Sequence, residues 1–194
     1  VCGSLHEAEN KEWLVTNGTG SYASGTIATT LTRRYHGLLV AALKPPVGRT
    51  VLVSKLDETV QYSGEQFDLF ASRWADGAIS PSGFQYIERF YHENSTPVWK
   101  FAFSDALVEK RIWMQPGEDT TYVQLRFIRG SFPIHIGAKA MVNYRDYHSS
   151  TRGGWAMDIR RVEHGLKITA FEGAIPFYLL SSNSSIDPNP EWYY

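Results

Sequence analysis

Thr121-Tyr122-Val123-Gln124-Leu125-Arg126-Phe127-Ile128 decides the fold class. Thr121, Val123, Leu125 and Phe127 alternate with Tyr122, Gln124, Arg126 and Ile128. A period of two marks a strand with one face on a core and the other toward solvent or a second layer. The same alternation returns where Ile134, Ile136, Ala138, Ala140 and Val142 interleave with His135, Gly137, Lys139 and Met141. Trp99-Phe101-Phe103 and Leu166-Ile168-Ala170 behave likewise. Between these runs lie turn signals: Asn17-Gly18, Pro45-Pro46-Val47-Gly48, Ser63-Gly64, Pro81-Ser82-Gly83, Pro116-Gly117 and Gly153-Gly154. Their spacing of roughly ten to fifteen residues suits an antiparallel sandwich. No segment carries a helical stripe, so the expectation is an all-β protein.

The totals narrow the function classes. The chain has 194 residues, 19 basic and 20 acidic, for a net charge of −1. That is enough for one substantial domain, and at this size roughly 70% of the unfolded surface can be buried without staples. The absence of a basic excess argues against nucleic acid or a membrane surface as partner. No apolar run approaches the roughly 20 residues that a membrane span needs. The single cysteine, Cys2, cannot close an internal disulfide, which fits a reducing compartment, and a cytoplasmic location is expected. Sequons at Asn17-Gly18-Thr19, Asn94-Ser95-Thr96 and Asn183-Ser184-Ser185 then read as chance. Residues 1–180 read as one sandwich domain. Residues 181–194 read as a linker, Ser181 to Pro190, opening into a further domain at Glu191-Trp192-Tyr193-Tyr194.

Recognition chemistry gathers in two places. Arg33-Arg34-Tyr35-His36 leads into the apolar strand Gly37-Leu38-Leu39-Val40, and Tyr144-Arg145-Asp146-Tyr147-His148 echoes it. Guanidinium, ring and imidazole together suit a hydroxylated or anionic ligand, and sugar matches the mixture best. On a strand, Arg33 and Tyr35 would share one face and Arg34 and His36 the other. Arg145 with Tyr147, and Asp146 with His148, would divide similarly, near a rim formed by the loop 149–154. The competing reading is strand-tying arginines and a satisfied core histidine. Trp13, Trp74, Trp113 and Trp155 are stacking candidates, though core packing is the better account of each.

Other patterns fade on inspection. Gly18-Thr19-Gly20-Ser21-Tyr22-Ala23-Ser24-Gly25 suggests a phosphate cradle, but strand formers follow it and no P-loop lysine is present. Tight turns and close strand packing account for these glycines. Asp57 and Glu58 are adjacent on a strand expected over Val51–Val60. They therefore face opposite ways and cannot act on one bond. Glu88, Glu109 and Asp158 show no spacing that pairs them, and glycoside hydrolysis needs two carboxyls across a cleft, about 5–9.5 Å apart. The six histidines lack metal-ligand spacing, and no nucleophile-elbow serine occurs.

Several segments carry a family resemblance. They are Glu12-Trp13-Leu14-Val15-Thr16-Asn17-Gly18, Gly20 with Tyr22-Ala23-Ser24-Gly25-Thr26, and Thr32-Arg33-Arg34-Tyr35-His36-Gly37-Leu38-Leu39-Val40-Ala41. Together they resemble the N-terminal domain of prokaryotic glycogen debranching enzymes of the amylo-α-1,6-glucosidase type. Ser54-Lys55-Leu56-Asp57-Glu58-Thr59 and Arg145-Asp146-Tyr147-His148 are similar to later signatures of that domain. Gly20-Ser21 departs from the Gly-Gly that members commonly show before the tyrosine.

The resemblance implies a large antiparallel β-sandwich of the super-sandwich type, joined to an (α/α)6 barrel. The barrel would carry the acids that hydrolyse α-1,6 branches. This chain would then have no catalytic residue, metal or cofactor. Its partners would be glycogen or a branched α-glucan and its own catalytic domain. Two other readings stay open. One is a stand-alone sugar mutarotase or epimerase using His36, His148 and a carboxylate. The other is a purely structural interface domain.

Overall fold

The computed structural model describes residues 3–151, 155–188, 190 and 191. Cys2, the Gly153-Gly154 turn signal and the aromatic end Trp192-Tyr193-Tyr194 lie outside them. The fold is all-β. Strands β1 (Glu12–Thr16), β2 (Tyr22–Thr26), β3 (Gly37–Lys44), β4 (Val47–Tyr62) and β12 (Ile134–Asp146) form the first sheet in that spatial order. A short β5 (Glu65–Asp68) also pairs with β4. The second sheet runs β11 (Thr121–Arg129), β10 (Ala106–Met114), β9 (Thr96–Phe103), β8 (Ile87–Glu93). Two small sheets complete the set. One is β13 (Asp158–Val162), β14 (Gly165–Thr169) and β15 (Phe177–Leu180), and the other is the hairpin β6 (Ala71–Arg73) with β7 (Ile79–Ser82). All pairings are antiparallel. No helix among the described residues is long and apolar enough to cross a membrane.

The first and second sheets enclose the main core, with Val15, Ala23, Val60 and Tyr62 facing Trp99, Phe101, Val108 and Ile112. Trp13 is core, not platform. Its ring meets Trp99 edge-on at 5.5 Å, and Trp99 Nε1 donates to the Ile27 carbonyl at 3.0 Å. A second core lies on the first sheet's other face, where Ala41, Leu52 and Val53 pack on Ile168 and Phe177 of the β13–β15 sheet. The first sheet is therefore the middle of three layers, one more than the sandwich expected. This explains why β3 reads as an apolar run, Leu38 to Leu43, where a one-sided strand would alternate.

Three local readings change. A short helix, α1 (Leu5–Glu9), precedes β1, and the Ser4 hydroxyl caps it by accepting from the Glu7 N–H at 3.4 Å. Ser4-x-x-Glu7 is a capping-box pattern that carried this signal. The strand expected over 51–60 extends to 16 residues as β4. The apolar face expected along β12 is bare in its first half, since residues 135–139 are exposed, Ile136 and Ala138 among them. Only the two ends of β12 meet a layer, Ile134 on the main core and Val142 with Tyr144 on the second core described above.

The glycine-rich segment 18–25 is a latch. Asn17 Oδ1 accepts from the Thr19 and Ser21 N–H groups at 2.9 and 3.1 Å, closing an Asx-type turn. Asn17 Nδ2 donates to the Glu118 carbonyl and to Asp119 Oδ1, which the Ser21 hydroxyl also reaches. Amides that a phosphate cradle would use are spent on this carboxamide. Gly20 has φ 117°, and a Cβ there would lie 2.7 Å from the Pro46 carbonyl oxygen, so glycine is required. Asn17 is only 3% exposed, which removes it as a glycan acceptor.

Candidate functional site

The two recognition clusters, more than a hundred residues apart in sequence, meet in space. Residues 33–36 are not a strand. They form a turn closed by the His36 N–H on the Arg33 carbonyl at 3.1 Å, and β3 begins only at Gly37. β12 likewise ends at Asp146, and Tyr147-His148 turn away, with the Ser149 N–H donating to the Asp146 carbonyl at 2.9 Å. The face-sharing pairs inferred from a strand period therefore do not apply.

The turns are tied reciprocally. Arg34 Nη1 donates to the His148 carbonyl at 2.8 Å, and Arg145 Nη2 donates back to the Arg34 carbonyl at 2.6 Å. Arg145 Nη1 reaches the Ser149 carbonyl at 3.0 Å and, more loosely, those of Asp146 and Tyr147 at 3.4 Å. Tyr35 sits between them. Its hydroxyl is 3.2 Å from His148 Nδ1, and its ring meets Tyr147 and His148 edge-on, each at 5.5 Å. Tyr147 and His148 are 4.0 Å apart between centroids, and the Arg49 guanidinium stands 5.8 Å from the Tyr147 ring. From β2, the Tyr22 hydroxyl donates to the Tyr35 carbonyl at 2.8 Å. Asp146 Oδ1 accepts from the His148 N–H at 2.9 Å and sets its turn.

Burial sorts the members. Arg34, Tyr35, Asp146 and His148 are exposed, while Arg145 and Tyr147 are half-buried beneath them. Burial lowers the Arg145 guanidinium from its ordinary value, Tyr22 and Asp146 opposing and neighbouring Arg34 reinforcing. Burial raises the Tyr22 phenol, against the pull of Arg49. Arg33 and His36 are split off from the cluster. Arg33 Nε pairs with Glu12 Oε1 at 2.7 Å. His36 is 3% exposed, with Nδ1 accepting from the Thr32 N–H at 3.3 Å. That acceptor role puts the ring proton on Nε2, which faces Glu12 Oε1 at 3.3 Å. Burial holds the His36 pKa below its ordinary value, with Glu12 opposing. This is the core-histidine reading.

Four of the candidate acids are engaged in structural pairs, and Glu88 is exposed. Glu58 is fully buried against Lys110 Nζ at 2.5 Å, while Asp57 points to the opposite face and pairs with Lys55 at 2.7 Å. Glu109, 2% exposed, holds Arg111 Nε at 2.8 Å and Arg126 Nη2 at 3.0 Å. Those arginines lower its pKa against the desolvation that raises it. Asp158 pairs with Arg160 on the surface. Of the remaining tryptophans, Trp113 stacks on Tyr122 at 5.2 Å and Trp74 is exposed.

A sequence profile described as glycogen debranching enzyme N terminal matches residues 11–194. The chain belongs to that family. No curated protein and no solved structure matched the chain. Membership makes it an N-terminal domain of the glycogen-debranching type, part of a glycogen-processing enzyme. The match spans both recognition turns and the strands that carry them.

Proposed function

We propose that this debranching-family domain is a non-catalytic wall of a glucan cleft. Residues 181–194 would lead to a helical barrel that hydrolyses α-1,6 branches. The patch of Arg34, Tyr35, Tyr147 and His148 would contact the glucan, with Asp146 and Arg145 positioning it, in a cytoplasmic enzyme. One observation carries the reading: two separate motifs of donors and rings are held together as one exposed surface, by ties of 2.6 and 2.8 Å between them. Charged donors orient hydroxyls, and ring faces take the apolar side of a sugar.

The patch also suits docking of the barrel. Phe171 and Ile175 are exposed at 55% and 52%. Both contact Tyr144, next to Arg145: the Phe171 ring lies 5.2 Å away and the Ile175 N–H donates to the Tyr144 hydroxyl at 3.3 Å. Exposed apolar side chains beside a polar patch fit a domain interface. Mutarotase chemistry has less support, because His36 is buried and His148 faces a phenol with no opposed carboxyl pair beside it.

Titrating a branched oligoglucan into the full-length enzyme by calorimetry tests the proposal. Arg34→Ala and His148→Ala are expected to weaken binding about tenfold each. Unchanged affinity in folded variants that keep barrel contact would leave only the docking role.

A further inference from the structure

We propose a second, separate sugar-binding groove on the outer face of β4, β5 and β12, resting on the glucan reading above. The register places Asp68, Thr59 and Gly137 in one row across the three strands. Residues in one row share a face, and Glu58 beside them points the other way, into the core. The row therefore faces away from the second sheet. It floors an open groove of about 500 Å³, walled by Asp57, Gln66 and Phe70. That volume lies within the range of about 300–1,000 Å³ for small-molecule sites.

The wall is ordered in a way that a solvated sheet face does not need. Gln61 Nε2 donates to Gln66 Oε1 at 2.8 Å, and Gln66 Nε2 donates to Asp68 Oδ1 at 3.0 Å. This relay fixes a carboxylate and an amide side by side, and the carboxylate keeps further acceptor capacity. Lys55 Nζ holds Asp57 at 2.7 Å, donates to Ser72 Oγ at 2.7 Å and lies 5.0 Å from the Phe70 ring. Gly137 keeps the floor low, since a Cβ there would come within 3.0 Å of Thr59 Oγ1.

The charge selects the ligand class. Asp57 is neutralised by Lys55, and Lys139 faces Glu191 at 3.6 Å, so Asp68 dominates the local field and an anion is disfavoured. A carboxylate, an amide, a hydroxyl and a ring edge suit a neutral polyhydroxylated ligand, here an α-glucan segment. Gly137 and Arg145 are eight residues apart on β12, about 25 Å at the usual rise. The groove and the first patch therefore meet different parts of a chain.

The test is a nitrogen-proton NMR titration of the whole chain with maltoheptaose. Amides of Thr59, Asp68 and Gly137 are expected to shift. Gly137→Leu should weaken that response about tenfold, and Asp68→Asn at least about threefold, with dispersed spectra retained. Shifts confined to residues 34–36 and 145–149, with Gly137→Leu titrating like the parent, would overturn the groove and leave the glucan reading standing. No shift anywhere would overturn both. Inorganic phosphate shifting the groove amides would overturn the neutral-ligand assignment.

Discussion

Replacing Arg145 with alanine removes the guanidinium that joins the two recognition turns. Two of its contacts are short, 2.6 Å to the Arg34 carbonyl and 3.0 Å to the Ser149 carbonyl, and two at 3.4 Å are too long to weigh much. A hydrogen bond from a charged donor is worth about 1.5–3 kcal/mol net, and half-burial puts this side chain toward the lower end. The expected loss is about 2–3 kcal/mol in all. For a domain of this size that corresponds to a midpoint lowered by roughly 4–12 °C. Arg34→Ala breaks one exposed contact and should cost about 1 kcal/mol.

The informative quantity is the coupling. Each tie holds the turn on which the other depends, so losing one loosens the second. The double variant should cost less than the sum of the singles by about 0.5–1 kcal/mol. Arg145→Lys should recover little, because an ammonium cannot span two carbonyls. Urea unfolding followed by tryptophan fluorescence reads all four corners of the cycle. Additivity within about 0.3 kcal/mol would refute the claim that the turns form one unit.

Three further outcomes follow from the same geometry. Lys110→Met strands the buried Glu58 carboxylate and should cost about 3–5 kcal/mol in urea unfolding, with Glu58→Leu in the same chain restoring most of it. His36 has a lowered pKa in the fold, so the unfolded chain takes up a proton first as pH falls below about 6.5. Stability should thus be complete above that value and decline below it toward the folded pKa, and His36→Gln should flatten the slope in melts at stepped pH. Asn17→Ala opens the latch onto Asp119 and should cost about 2 kcal/mol by chemical denaturation.

Strands were legible because alternation is a local property. β9, β11 and β14 lie where the period of two put them. What each strand faces is not local. β12 alternates as cleanly as β11, yet residues 135–139 are exposed while Val123 and Leu125 of β11 pack on the main core. The third layer was hidden for the same reason, since β14 carries the pattern of any half-buried strand. At the candidate site, residue types were readable and orientation was not. A four-residue turn replaced the assumed strand at Arg33–His36, sending His36 inward and Arg33 to Glu12. The meeting of Arg34 with Arg145 depends on how β3 and β12 flank β4, and no window of sequence contains that.

The disposition of three buried acids fits the non-catalytic role proposed above. A glycosidase needs one carboxyl kept protonated near neutrality and a second across the scissile bond. Glu109 is driven the other way, its pKa lowered by Arg111 and Arg126. Glu58 faces the core against Lys110, and Asp57 is held by Lys55 on the opposite face of the same strand. Each of these carboxylates is matched to a fixed cation, which suits a structural role. The groups facing solvent at the recognition turns are the Arg34 guanidinium, the Tyr35 phenol, the His148 imidazole and the Asp146 carboxylate, donors and an acceptor that can orient a hydroxylated chain. That division fits the proposed role, in which carboxyls of another domain would cleave and this surface would hold the glucan.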